Sequence, residues 1–342
     1  MFNASGRLKI RPMNKTAIKR YLCSSAAVLL SFCGAATHAQ VRWDLATGYP
    51  DTSFHVKNLR EFAADVSART NGQVVITVHS GGSLVKAPEI RNAVTAGTVA
   101  AGEVFGPSMG AVHPVFALDA IPLLSTNYAN ARRLWNLSRP LAEKKAADTG
   151  VNLLYSVAWP PQGLFSAKEI HQVNDFKGVK LRENSPAVKR LGEILEADTV
   201  TVETPDLVSA VQAGKVTAVF TSAAQGVDTK LWEKLPWFYP INAWLPRNIV
   251  MVNRKKLDEL PAASRDAVIR AAAAAEERGW SLSERSASET LAVLKNSGAK
   301  IGVIGGSVRP RLDRAGGILS AEAMKRADPE LFALLTQYLA LK

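Results

Sequence analysis

Short β-type runs alternate with helical runs from about residue 41 to the C-terminus, and this alternation admits little but an α/β fold. Trp43-Asp44-Leu45-Ala46-Thr47 reads as a first strand, and Val56, Leu59, Phe62, Ala63 and Val66 follow at helical spacing. The Asn71-Gly72 turn leads into a second strand over 73–79, followed by a short helix over 88–96 and a third strand over 98–101. A helix over 127–150 ending on its glycine precedes a strand over 151–158, which Pro160-Pro161 breaks off.

A tighter unit follows, with strands expected over 178–182, 199–202 and 216–220. Ser185-Pro186 and Thr204-Pro205-Asp206 start the helices between them, each with a capping residue ahead of a proline. Residues 249–252 return to β, and an alanine-rich helix runs from Pro261 to about Asn296. The length suggests two lobes rather than one core.

The N-terminus narrows the setting. Arg7, Lys9, Arg11, Lys15, Lys19 and Arg20 precede an uncharged apolar stretch over 21–36, and Thr37-His38-Ala39 then offers a small-residue cleavage site before Gln40. This is the order of a secretory signal peptide, expected over 1–39, and it survives a start at Met13. Leu30-Ser31-Phe32-Cys33 has the outline of a lipid-attachment site, but Phe32 stands where a small residue is needed. Both cysteines, Cys23 and Cys33, fall in the signal, so the mature chain is expected to have no disulfide, thiolate metal site or cysteine nucleophile. Six of the +12 net charges leave with the signal. The remaining basic residues form no stripe with aromatics, so no nucleic-acid partner is expected. No later stretch is long and apolar enough for a bilayer, and the mature chain is expected not to be membrane-embedded.

Arg182 is the leading candidate for binding. It ends a strand just before a capped helix start, where open α/β sheets bind ligands. A guanidinium there matches a carboxylate, and the helix N-terminus adds free N–H groups for an anion; the alternative is a surface arginine in a loop. Thr221 and Ser222 offer hydroxyls at the end of a nearby strand, or are plain turn residues. Trp159, Trp244 and Phe105 could wall a pocket or pack a core. Gly106-Pro107-Ser108-Met109-Gly110 matches the nucleophile elbow of a serine hydrolase, but His113-Pro114 interrupts the helix that Ser108 would need. His55, His79, His113 and His171 have no metal spacing and read as turn or surface histidines. Neither metal nor cofactor is expected.

These residues together resemble a family. Phe176-Lys177-Gly178-Val179-Lys180-Leu181-Arg182, then residues 213–222, are similar to the solute-binding subunit of tripartite ATP-independent periplasmic (TRAP) transporters, the DctP-like family. Phe54–Ala63, Lys86–Ile90, Asp119–Leu124 and the long helix from Pro261 fit the same order. The resemblance implies two α/β lobes joined by crossing strands and braced by a long helix, a periplasmic location, an organic-acid ligand in the cleft and membrane permease partners. Lobe I would comprise 40–160 plus 248–288, and lobe II 161–247 plus 289–342. The family's carboxylate-binding arginine falls on Arg182. A second arginine falls at Gln162, and a typical asparagine at Thr221. An acidic residue and a glycine fall at Thr217 and Ala218, and the glutamate of sialic-acid-type members at Phe105. These departures imply a monocarboxylate with an apolar or aromatic body. The site expected is Arg182, Gln162, Thr221, Ser222, Phe105, Trp159, Trp244, Asn248, Thr47 and His55. A secreted hydrolase using Ser108, or a binding protein feeding a sensory receptor, are the other readings.

Overall fold

A computed structural model describes residues 40–341; the expected signal over 1–39, with both cysteines, lies outside them. β1 (Val41–Thr47) leads to α1 (Phe54–Arg69), whose N-cap Ser53 accepts from the His55 backbone N–H. α1 buries Val56, Leu59, Phe62, Ala63 and Val66, each large one contributing about 1.5–3 kcal/mol. Asn71 and Gly72 both take left-handed φ, and the chain returns as β2 (Val74–His79), parallel to β1. α2 (Ile90–Ala96) and β3 (Ala101–Phe105) follow, then α3 (Tyr128–Ala147) and β4 (Val151–Ala158).

The second half opens with β5 (Gln162–Ser166), β6 (Lys180–Glu183), α4 (Pro186–Ile194) and β7 (Asp198–Thr201). Next come α5 (Leu207–Gln212), β8 (Ala218–Ser222), α6 (Ala223–Asp228) and β9 (Trp237–Tyr239). β10 (Arg247–Asn253), α7 (Arg254–Asp258) and α8 (Ala262–Asn296) follow, then β11 (Lys300–Ile301), α9 (Val308–Arg326) and α10 (Pro329–Ala340).

Two sheets result, ordered β2-β1-β3-β10-β4 and β11-β9-β5-β8-β6-β7. The chain crosses between them from β4 to β5 and from β9 to β10, with Asn242 of the second crossing in left-handed φ. The two crossing segments hold each other: Trp159 N–H donates to Pro246 O (2.7 Å), Gln162 N–H to Trp244 O (2.9 Å) and Ala243 N–H to Gln162 O (2.9 Å). α8 spans both halves. Val268, Ala271, Ala272 and Ala275 pack behind the first sheet, and Leu294 joins the cluster of Phe165, Val219 and Phe238 behind the second. At Gly279 the helix lies so close to β4 that a Cβ would stand 2.4 Å from Val157 Cγ2. α10 packs on α3, with Leu331, Leu335 and Tyr338 in the same core as Trp135. This is the two-lobe α/β architecture with crossing strands and a bracing helix that the sequence led us to expect.

Several local readings shift. The strand expected over 98–101 starts only at Ala101, because Gly97 caps α2 in the left-handed region and Thr98 Oγ1 donates to Ala93 O. The strand expected over 216–220 is Ala218–Ser222, since Val216 N–H still closes the turn onto Ala210 O. β5 is not apparent in the sequence: it is buried on both faces, with no alternation to detect, and follows a Pro-Pro pair. His55 is not a turn or surface histidine but a buried residue in the first turn of α1, and His113 is a half-buried N-cap.

Candidate functional site

β6 and β7 run parallel, as do β6 and β8, so their carboxyl ends share one edge of the second sheet. Gly178, in left-handed φ, turns the chain into β6, where Leu181 enters the core. Arg182 is only 4 % exposed. Its Nε donates to Val202 O (2.8 Å) and its Nη2 to Thr204 Oγ1 (3.1 Å), while Nη1 has no hydrogen-bond partner among the described residues; the side chain lines the crevice. Burial pushes the guanidinium down to about 10, against the raising influence of Tyr49 and Glu203. The group is still charged at neutral pH, and it makes no ion pair among the described residues. Asn184 and Thr204 stand beside it, with Thr221 from the end of β8 and Gln225 from α6. The Ser185-Pro186 helix start, expected to present its N–H groups to the same anion, lies elsewhere: Ser185 Oγ accepts from Val188 N–H, and both residues border a separate surface groove.

The first sheet supplies an aromatic wall from the carboxyl ends of β1, β3 and β4, namely Tyr49, Phe105 and Trp159. A buried polar network fixes two of these. Glu103 accepts from Thr47 Oγ1 (2.7 Å) and Asn248 Nδ2 (3.0 Å), and His55 Nδ1 stands 3.2 Å from it. A carboxylate only accepts, so it sets which end of the Asn248 amide faces it. The Asn248 carbonyl then accepts from Trp159 Nε1 (2.9 Å) and the Tyr49 hydroxyl (3.1 Å). Burial, and then Glu103, raise the Tyr49 hydroxyl above its usual range, so it stays a donor. The His55 ring lies 4.2 Å from the Trp159 ring and fills the space behind it.

Gln162 and Pro246 close the crevice where the crossing segments meet, and Gln162 Nε2 donates to Pro160 O (2.8 Å). The crevice is small, about 30 Å³, room for roughly one water. Larger hollows of about 760 and 400 Å³ open on the surface beside α7 and between 107–121 and α4. Neither is lined by a buried charged group. The chemistry converges in the smallest of the three.

Of the residues singled out in the sequence, Arg182, Gln162, Thr221, Phe105 and Trp159 line this crevice together. Thr47, His55 and Asn248 lie behind the aromatic wall in the Glu103 network. Ser222 is the N-cap of α6, and Trp244 packs in the core 5.4 Å from Phe220. Tyr49, Asn184, Thr204, Gln225 and Pro246 were not singled out. Thr204 carried a signal, as the helix start beside β7, but was read only as a cap. Ser108 has no base: its Oγ donates to Phe105 O (2.7 Å) from a 3₁₀ turn, and His113 is engaged by Asp328 and the Val115 N–H. Among the described residues no cluster of three or more His, Cys, Asp or Glu suits a metal ion, and no helix is long and apolar enough to cross a membrane.

Residues 45–309 match the family described as bacterial extracellular solute-binding protein, family 7 (DctP). A curated solute-binding protein of Albidiferax ferrireducens is 24% identical over 259 residues, 72% of this chain and 75% of that one. Among solved structures, the Bordetella pertussis extracytoplasmic solute receptor DctP6 is 38% identical with a TM-score of 0.85, covering 88% of this chain and 100% of its own. DctP7 of the same organism is 31% identical with a TM-score of 0.86, covering 87% of this chain and 99% of its own. Both are described as binding pyroglutamic acid.

Proposed function

Because this chain belongs to family 7 of the bacterial extracellular solute-binding proteins, the solute receptors of TRAP transporters, we propose that it captures a compact monocarboxylic acid at Arg182 and delivers it to a membrane permease. It is a transport binding protein and not an enzyme. The observation that carries the proposal is the buried, unpaired charge of Arg182. A buried charge is stable only with a partner, and a carboxylate entering the crevice supplies one.

The walls argue for the rest of the solute. Tyr49, Phe105 and Trp159 offer ring faces and edges opposite Arg182, which suits an apolar or aromatic body. Among the described residues no second cation lines the crevice, so a single carboxylate fits better than two. The pyroglutamic acid bound by the two Bordetella receptors has this form, one carboxylate on a small ring.

Binding would be coupled to closure. The crevice takes its walls from both sheets, which are joined by two short crossing segments hydrogen-bonded to each other. A solute that touches both walls favours the closed arrangement by its extra contacts there. The moving bodies would be 40–160 with 248–288 and 161–247 with 289–342. Export would remove the signal after Ala39 and release the chain into the periplasm.

Native mass spectrometry of the protein purified from its own periplasm tests the reading, followed by calorimetry with the released solute. A monocarboxylic acid that binds unchanged is the expected result. A neutral solute, or a dicarboxylate held as tightly by Arg182→Ala as by the wild type, would refute it.

A further inference from the structure

α9 belongs to two cores. In its first half, Val308, Leu312 and Ala315 pack with Phe176, Leu181 and Leu191. In its second half, Leu319 joins Trp135, Leu331 and Tyr338, with Ala323 and Met324 packed against them. The change of core falls between Ala315 and Leu319, where Gly316 and Gly317 stand. The two glycines are not alike. A Cβ on Gly316 would lie 2.7 Å from Pro122 O and 3.0 Å from Leu123 Cβ, so close packing calls for a glycine. A Cβ on Gly317 would meet nothing within 4 Å, Gly317 is exposed, and neither glycine takes left-handed φ. Glycine weakens a helix interior relative to alanine, yet at Gly317 neither packing nor backbone conformation calls for it. What it provides is a place where a helix bends.

This point also meets the crossing. Pro122 and Leu123 pack on Gly316, and Leu123 N–H donates to Ala243 O (2.7 Å) in the segment from β9 to β10. Beyond it, α10 is tied to the first lobe, where Asp328 Oδ2 is held by His113 Nε2 (3.0 Å) and Lys145 Nζ (3.4 Å). Arg190 of α4 meets Glu322 at 3.2 Å across the change of core, but both side chains are partly exposed, and such a tie is weak. We propose that α9 is a further hinge between the lobes, bending at Gly316-Gly317 as the crevice opens, so that the chain from Leu319 onward moves with the first lobe. This hinge rests on the closure reading and redraws its second moving body, which ends at Ala315. A hinge needs only a few positions to absorb the motion.

Single-molecule energy transfer between dyes on Thr52→Cys and Asp206→Cys tests it with no solute added. Both positions are exposed, just beyond Tyr49 and Thr204 on opposite walls, and the described residues contain no cysteine to compete. Wild type is expected to exchange between the arrangement of this structure and one of longer distance. Gly317→Ala favours the uninterrupted helix, so it should shift the populations toward the shorter distance by about fivefold; Gly317→Ser serves if the alanine variant does not fold. Thr336→Ala strengthens α10 away from the bend and should leave the populations as in wild type. Unchanged populations in Gly317→Ala, a shift toward the longer distance, or an equal shift in Thr336→Ala overturns the hinge. A wild type held at one distance overturns hinge and closure together, whereas exchange that Gly317→Ala leaves alone removes the hinge and spares closure.

Discussion

The Asn248 carbonyl accepts a hydrogen bond from the Trp159 indole at 2.9 Å, so the aromatic wall of the crevice is hung from β10, the neighbour of β4 in the first sheet. The same Asn248 gives its amide to Glu103. Glu103 therefore orients Trp159 without touching it, and it acts as a positioning residue.

Glu103→Gln should loosen this arrangement. The new amide can donate as well as accept, so it no longer dictates which end of Asn248 faces the wall. A loss of about 1–3 kcal/mol in urea unfolding is expected from the disturbed buried bonds, together with weaker solute binding. In a double-mutant cycle with Trp159→Phe, the coupling should exceed about 0.5 kcal/mol. Additive effects would show that the two residues are not linked through Asn248.

Arg182→Ala should lower solute affinity by about 2–5 kcal/mol, the usual loss when one member of a desolvated charge pair is removed. Arg182→Lys should recover only part of it, because an ammonium lacks the planar fork. Calorimetry that finds the alanine variant within about threefold of wild type would take the solute's carboxylate away from Arg182.

Asp228 at the end of α6 is pushed up to about 6, chiefly by burial, with Lys57 and His55 opposing. The folded-state value lies above the unfolded one, so the proton leaves the unfolded chain first as pH rises. Stability is therefore lost from about pH 4 upward and the loss is complete above about pH 6. Asp228→Asn should raise the melting temperature at about pH 8 and change it little at about pH 4. A variant that melts lower at the higher pH would mean that the ionised carboxylate is held by a favourable partner.

Gly279 lets α8 lie against β4, with Val157 Cγ2 only 2.4 Å from where a Cβ would stand and Asn58 Nδ2 at 2.8 Å. Gly279→Ala gains helix propensity but forces the helix off the strand. The overpacking should dominate, with about 1–3 kcal/mol lost in denaturant unfolding. A stabilised variant would show that the contact yields easily.

Much of this was legible along the chain. The cap at Ser185, the left-handed turn at Asn71-Gly72 and the long alanine-rich α8 follow from local chemistry. Arg182 could be singled out because it ends a strand ahead of a helix start, even though Ser185 and Pro186 of that start border another groove. Gln225 could not be found: a glutamine in the first turn of a six-residue helix looks like any solvent-facing amide until its surroundings are known. Thr47, His55 and Asn248 were expected in the site itself; they stand behind its wall around Glu103, a residue that carried no signal of its own.

The sequence by itself determined the α/β alternation, the positions of most helices, the family and one candidate arginine, since each depends on residues near one another in the chain. The tertiary structure alone decided which polar groups meet. Arg182, Thr221 and Gln225 come together with Tyr49 and Trp159 because the strand order places carboxyl ends from two sheets around one crevice. Strand order is set by long-range pairing and burial, and the period of a local segment does not encode it.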